Sequence, residues 1–190
     1  MKTPPSYKKF LPILLFIIAF SGFLSTQIIW DTFHLNAEQV SEDKQKYSAY
    51  EQAFQGLKLT TTKSTTLELK LQKEPLVLLN FWASWCLPCL KEFPGLTQFQ
   101  ARYAGQLKVI GINGDEENAL EEIKKVESKY KLNFESVTDA DSLISNKFFV
   151  STYPVSILFY KGKVIFVSKK IHNFMEENFL KMVEEQLKAN

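Results

Sequence analysis

Cysteine and histidine are scarce in this chain of 190 residues, which has only two residues of each type. Glycine and proline are also few, at seven each, and no repeat period or low-complexity tract is visible. These absences exclude solenoids, collagen-like chains and disordered chains. A net charge of only +2 gives no electrostatic case for a nucleic-acid partner. The length predicts one globular domain with an accessory segment.

Charge is absent from the segment Phe10–Trp30, which follows Lys2, Lys8 and Lys9. Its length matches the roughly 20 residues that cross a bilayer, and the preceding lysines predict a cytoplasmic N-terminus with an exported body. A cleaved signal peptide is the alternative, because it also has a basic start and an apolar centre. Both interpretations place the remainder of the chain outside the cytoplasm.

The sequence therefore predicts four regions. Residues 1–9 form a cytoplasmic N-terminus, residues 10–30 form the anchor or signal peptide, and residues 31–53 form a polar helical linker. We interpret the linker as a spacer that lies against its own domain; a helix that docks a partner is the alternative. Residues 54–190 form the globular domain.

Hydrophobic patterning in residues 54–190 predicts an α/β fold with a mixed central β-sheet and helices on both faces. Continuous apolar runs predict central strands covered on both sides, whereas apolar residues at helical spacing predict the helices. A short strand pair precedes the first central strand. The predicted strands lie near 57–59, 67–71, 76–79, 109–113, 155–160 and 164–168, and the predicted helices lie at 86–103, 117–130, 141–149 and 174–189.

The two cysteines, Cys86 and Cys89, are three residues apart and follow the first predicted central strand. A Cys-x-x-Cys pair at the start of a helix is typical of a redox dithiol, because the helix N-terminus stabilises a thiolate on the first cysteine. We expect Cys86 to be the exposed attacking thiolate and Cys89 to resolve the mixed disulfide. A purely structural disulfide would close too small a loop to stabilise the fold strongly. A zinc site would need further ligands, and His34 and His172 lack ligand spacing.

Three segments carry a resemblance to the thioredoxin superfamily: Asn80–Cys89, Glu92–Pro94 and Thr152–Pro154. Within it the chain resembles the TlpA/ResA group of membrane-anchored thiol-disulfide oxidoreductases. The resemblance implies a thioredoxin-like fold, no cofactor, and a single-pass protein of the bacterial cytoplasmic membrane whose catalytic domain faces the periplasm or extracytoplasmic space. It also implies that Pro154 is cis and that Tyr153 and Pro154 contact substrate.

The chain departs from cytosolic thioredoxin at two positions. Asn80 stands where thioredoxin has a buried aspartate, and Gly111 stands near the position of the partner lysine. The TlpA/ResA resemblance implies that Glu92 replaces them as the proton-handling residue, and its helical spacing from Cys89 supports this role. A solvated glutamate beside Lys91 is the alternative.

The aromatic residues near the dithiol have no single assignment from the pattern. We expect Trp85 to lie at the site in contact with substrate and Trp82 to serve mainly in packing. The neighbouring pair Phe148 and Phe149 is assigned to the core.

The resemblance thus predicts a reductant of disulfides in exported proteins, with apocytochrome c as the typical client. Since the chain has no third cysteine, a transmembrane thiol reductant is the implied electron donor. Neither a cofactor nor a metal is expected. The alternatives are a disulfide-forming oxidant, a binding module without catalysis, and a copper-delivery module.

Overall fold

The computed structural model describes residues 11–189, apart from the side chains of residues 11, 12, 14, 15, 19, 28 and 31–44. The chain divides into two compact units between Lys46 and Tyr47. The predicted boundaries near residues 10, 31 and 54 stay predictions, and the predicted cytoplasmic segment 1–9 lies outside the described residues. Within the described part of the chain, no helix has the length and apolar character needed to span a membrane.

Five α-helices and seven β-strands alternate along the described chain, with one 3-10 turn at Leu69–Leu71. The helices are α1 (Leu11–Gln55), α2 (Leu87–Arg102), α3 (Ala119–Tyr130), α4 (Leu143–Lys147) and α5 (Glu177–Lys188). The strands are β1 (Lys58–Thr60), β2 (Thr66–Glu68), β3 (Leu76–Trp82), β4 (Leu107–Asn113), β5 (Glu135–Thr138), β6 (Val155–Tyr160) and β7 (Lys163–Ser168).

The central sheet has the strand order β5-β4-β3-β6-β7. Strand β3 pairs in parallel with β4 and antiparallel with β6, which confirms the predicted mixed sheet. Strands β1 and β2 form a separate antiparallel pair, as predicted. Strand β5 was missing from the prediction because its four residues are too short to show a clear period.

Strand β3 is buried along its whole length, because both faces of the sheet are covered. Leu76, Leu78 and Trp82 belong to one hydrophobic cluster together with α2 and α5. Val77, Leu79 and Phe81 belong to the other, which contains Tyr50 and Phe54 from the end of α1. The sheet therefore holds the carboxyl end of β3, where the cysteines follow, between two packed layers.

Two details of the prediction were wrong. The strand predicted at 67–71 stops at Glu68 and becomes a 3-10 turn, which leaves Leu71 exposed. Phe148 is fully buried, as predicted, but Phe149 is 62% exposed. The backbone of Phe149 has a positive φ of 50°, a left-handed turn after α4 that directs consecutive side chains to different sides.

Gly111 in β4 is required by the packing of Trp82. A Cβ atom at this position would lie 2.8 Å from Trp82 Nε1 and 3.0 Å from Ser136 Oγ. The Trp82 ring cannot move away freely, since it is fully buried and packs edge-on against Phe93 at 5.1 Å. We expect Gly111→Ala to lower the free energy of unfolding by about 1–3 kcal/mol, the usual cost of overpacking, measured by urea denaturation.

Gly95→Ala is the matched control for this substitution. Gly95 lies inside α2, and its added Cβ would meet only the Phe174 backbone nitrogen at 3.9 Å. Alanine is favoured over glycine inside a helix by about 1 kcal/mol, so this variant should gain stability. Equal stability of the two variants would contradict the packing role of Gly111.

Candidate active site

The two cysteines form a disulfide at the N-terminus of α2, with an S–S distance of 2.01 Å and Cα atoms 5.3 Å apart. Cys86 is the N-cap residue, and its Sγ accepts a hydrogen bond from the Cys89 N–H at 3.3 Å. Pro88 in the first turn is suited to this position, because it has no N–H that needs a partner. The helix end therefore supplies a donor directly to the first sulfur.

Cys86 is not the exposed residue that the sequence predicted. It is only 4% exposed, and Cys89 is fully buried. Instead, the residues on either side of Cys86 in the sequence are exposed: Trp85 and Leu87 each have an exposed fraction of 69%. The surface next to Cys86 along the chain is therefore apolar.

Tyr153 and Pro154 lead into strand β6, which pairs with the strand that precedes the dithiol. The Tyr153–Pro154 peptide bond is cis, which confirms the cis-proline that the resemblance implied. Strand β6 starts directly after Pro154, and its first residue, Val155, pairs with Phe81 near the end of β3. The rings of Tyr153 and Trp85 are 5.9 Å apart. Tyr153 thus lies close to Trp85, the residue directly before Cys86, whereas Trp82 is buried, as predicted.

Glu92 is buried below the dithiol and is not a solvated surface residue. Its side chain lies one helical turn after Cys89 on the same face of α2, and it is only 3% exposed. Burial raises the pKa of Glu92 to about 7, although hydrogen bonds from the His172 N–H and the Asn80 amide act in the opposite direction. A carboxyl group with a pKa near neutrality can both hold and release a proton under ordinary conditions.

Asn80 contacts Glu92 from the sheet below. Its Nδ2 donates to Ser156 Oγ at 2.9 Å and reaches Glu92 Oε2 at 3.5 Å. Strand register explains this contact, because Asn80 in β3 stands opposite Ser156 in β6. The position of the thioredoxin aspartate is therefore occupied by a neutral amide that donates to a carboxyl group on the helix.

The segment before α5 contacts the Glu92 side chain. His172 donates its backbone N–H to Glu92 Oε1, and its ring packs against Phe166, Phe174 and Phe179 at 4.7–5.0 Å. Burial lowers the pKa of the His172 ring. The sequence did not indicate this partner, because a backbone donor 80 residues from Glu92 leaves no side-chain signal.

A surface pocket of about 350 Å³ connects Glu92 with solvent. It is lined by Lys91, Glu92, Gly95, Ile171, His172 and Asn173. In the described part of the chain, no group of three or more His, Cys, Asp or Glu side chains is arranged to hold a metal ion.

The model of the AhpC/TSA family matches residues 50–170, which is more than half of the chain and includes the strand pair, the dithiol and the cis-proline. The chain belongs to the AhpC/TSA family. This thioredoxin-like family confirms the resemblance to the thioredoxin superfamily that was based on segments containing Cys86, Cys89 and Pro154.

Two curated relatives are about one third identical to this AhpC/TSA chain over the segments that align. The thioredoxin-like protein YneN of Bacillus subtilis is 32% identical over 108 residues, which are 56% of this chain and 61% of YneN. The thiol-disulfide oxidoreductase ResA of the same organism is 32% identical over 126 residues, 62% of this chain and 69% of ResA. The chain thus spans about three fifths of YneN and slightly more than two thirds of ResA.

A solved structure confirms the thioredoxin-like fold of this AhpC/TSA member. A secreted disulfide oxidoreductase of Mycobacterium tuberculosis, homologous to Escherichia coli DsbE, superposes with a TM-score of 0.59. The match covers 73% of this chain and 98% of that one at 22% identity. At this identity the likeness establishes the architecture alone.

Proposed function

We propose that this chain is an extracytoplasmic thiol-disulfide oxidoreductase that reduces disulfides in exported proteins through Cys86 and Cys89. The observation that carries the proposal is the disulfide at the start of α2, whose first sulfur accepts a backbone N–H. The packing of Trp85 near Tyr153 and the cis bond before Pro154 support it. The name of the relative ResA, a thiol-disulfide oxidoreductase, supports the same chemistry.

The reduction proceeds in two exchange steps. The Cys86 thiolate attacks one sulfur of the client disulfide, a mixed disulfide forms, and the other client sulfur leaves as a thiolate. Cys89 then loses its proton and attacks Cys86 Sγ, which closes the Cys86–Cys89 disulfide and releases the second client sulfur. Two electrons pass to the client. Its two sulfurs leave as thiolates and take up two protons from solution to give a dithiol, while the protons of Cys86 and Cys89 have been released from the protein.

Glu92 is the base that we assign to Cys89. It lies one turn further along α2, and its pKa of about 7 allows it to accept the Cys89 proton near neutral pH. The pocket beside it provides the route by which that proton reaches solvent. We assign Trp85, Tyr153 and Pro154 to client contact. Trp85 directly precedes Cys86 and its exposed ring lies near Tyr153, and the resemblance implies this role for Tyr153 and Pro154.

Location and partners are proposed from the sequence. The uncharged run Phe10–Trp30 and the lysines before it support an N-terminal anchor with the domain on the extracytoplasmic side. The TlpA/ResA resemblance implies a role in cytochrome c maturation with apocytochrome c as a client, and a transmembrane thiol reductant as the electron donor. No cofactor is required for the exchange.

The direction of electron flow is tested by the reduction potential. We expect the purified domain, equilibrated with glutathione buffers, to have a potential near that of thioredoxin, about −270 mV, as a reductant requires. The measurement is the fraction of Cys86–Cys89 disulfide at each buffer ratio. A potential near about −120 mV would contradict the reducing role and favour the disulfide-forming oxidant.

A further inference from the structure

The segment that follows β4, Asn113–Asp115, lies against the dithiol turn. Asp115 is only 4% exposed, and both of its carboxylate oxygens accept the Ser84 N–H, each at 3.1 Å. Ser84 precedes Cys86 by two residues, within the turn in which the Cys86 N–H donates to the Ala83 carbonyl. The turn that presents the first sulfur is therefore held by a buried carboxylate.

Further contacts fix this carboxylate in place. Asn113 is fully buried, and its Nδ2 donates to Asp115 Oδ2 at 2.9 Å. The Asp115 N–H donates back to Asn113 Oδ1 at 3.2 Å, and the Gly114 N–H donates to the Trp82 carbonyl at 2.9 Å. Hydrogen bonds from the last residue of β4, Asn113, and between Gly114 and the end of β3 thus fix the position from which Asp115 accepts the Ser84 N–H.

The same segment also contacts the cis-proline side of the site. A Cβ atom on Gly114 would lie 1.9 Å from the Tyr153 hydroxyl oxygen, so the tyrosine occupies the space left by the missing side chain. The two halves of the candidate site, the dithiol turn and the Tyr153–Pro154 segment, therefore both rest on Asn113–Asp115.

We propose that Asp115 is a positioning residue for Cys86, which holds the dithiol turn through the Ser84 N–H and thereby places a carboxylate against the backbone two residues before the first sulfur. This inference rests on the proposed thiol-disulfide exchange. A nearby negative charge disfavours the Cys86 thiolate and therefore destabilises the reduced protein relative to the disulfide. Asp115 in this way makes the dithiol a stronger reductant than the helix N-terminus alone would allow.

The test compares Asp115→Asn with Asp139→Asn. Asp139 is also buried, and its two oxygens accept the Ile144 and Ser145 N–H groups at 2.8 Å, but these donors belong to α4 rather than to the dithiol turn. The equilibrium constant of each variant with glutathione and its unfolding in urea are measured on the full chain. Asp115→Ser serves as a second variant if the asparagine side chain is not accommodated.

We expect Asp115→Asn to shift the glutathione equilibrium toward the reduced protein by roughly tenfold, because removal of the carboxylate charge favours the thiolate form of the reduced dithiol. For a two-electron couple, tenfold is about 30 mV toward the oxidising side. Asp139→Asn should lose stability but keep the wild-type equilibrium within about twofold, well inside that shift. An unchanged equilibrium for Asp115→Asn, or an equal shift for Asp139→Asn, would overturn the assignment. If the wild-type protein itself fails to exchange with glutathione, the proposed function fails and not the role of Asp115 alone.

Discussion

Replacing Cys89 by alanine should convert the protein into a trap for its clients. Without the resolving thiol, the mixed disulfide between Cys86 and the client has no internal route of release, so it should accumulate. Because Cys86 and Cys89 are the only cysteines, every disulfide-linked adduct of Cys89→Ala must be bonded to the Cys86 sulfur. Adducts are measured in cells that express the full chain, after acid quenching and non-reducing electrophoresis.

The double variant Cys86→Ala/Cys89→Ala is the matched control for the trap. It lacks both thiols and should yield no adducts, and Cys86→Ala alone should reduce a model disulfide no faster than the uncatalysed reaction. If Cys89→Ala shows no more adducts than the double variant, the chain binds or assembles proteins without thiol-disulfide exchange. The identity of a trapped client would also test the assignment to apocytochrome c.

Glu92→Gln should slow disulfide reduction near neutral pH. Glutamine retains the shape and a hydrogen-bond acceptor for the His172 N–H but cannot accept the Cys89 proton. General-base catalysis typically contributes about 10²–10⁴-fold, so we expect kcat/KM at pH 7 to fall by about 10²-fold. The wild-type rate should rise with pH through about 7, the pKa of Glu92, and this inflection should be lost in the variant.

Lys91→Gln is the neighbouring control, because Lys91 lines the same pocket but is exposed. It should keep the inflection near pH 7. A Glu92→Gln variant with the rate and pH profile of the wild-type protein would remove Glu92 from the mechanism and leave it as a buried structural residue.

The raised pKa of Glu92 also predicts how stability depends on pH. Between its ordinary value of 4.5 and about 7, the folded protein retains a proton that the unfolded chain releases, so the free energy of unfolding falls as pH rises through this window. The full difference corresponds to about 3 kcal/mol. Glu92→Gln should therefore lose this slope and be more stable than the wild-type protein at pH 8, as measured by urea denaturation.

The central sheet could be predicted from the sequence because its long strands are marked by clear runs of apolar residues. The continuous apolar run at 76–79 correctly indicated a strand covered on both faces, and the β-α-β-α order implied the parallel pairing of β3 with β4. Strand β5 and the outward turn at Phe149 could not be predicted. A four-residue strand is too short to show a clear alternation of polar and apolar residues. A positive φ at phenylalanine follows from tertiary packing and not from local preference.

For the candidate site, the sequence indicated the residues but not their environment. The motif located Cys86, Cys89, Glu92 and Pro154, whereas the burial of Cys86 between the exposed Trp85 and Leu87 depends on the sheet and helix around it. Asp115 was missed because it lies 31 residues from Ser84 and contacts only a backbone N–H there. Contacts to backbone groups do not constrain the identity of the partner residue, so the sequence of the partner carries no signal.

The packing of His172 links the C-terminal part of the domain to the environment of the Glu92 carboxyl group. The residue whose N–H reaches Glu92 is fixed by ring contacts with Phe174 and with Phe179 of α5, so the proton affinity of the carboxyl group depends on how firmly α5 is seated. If Glu92 is the base that we propose for Cys89, a change in the packing of that helix would alter the proton supply to Cys89 without contact with either sulfur. In the proposed mechanism, electron transfer and proton transfer then depend on different parts of the fold, the first on the turn before α2 and the second on the last helix.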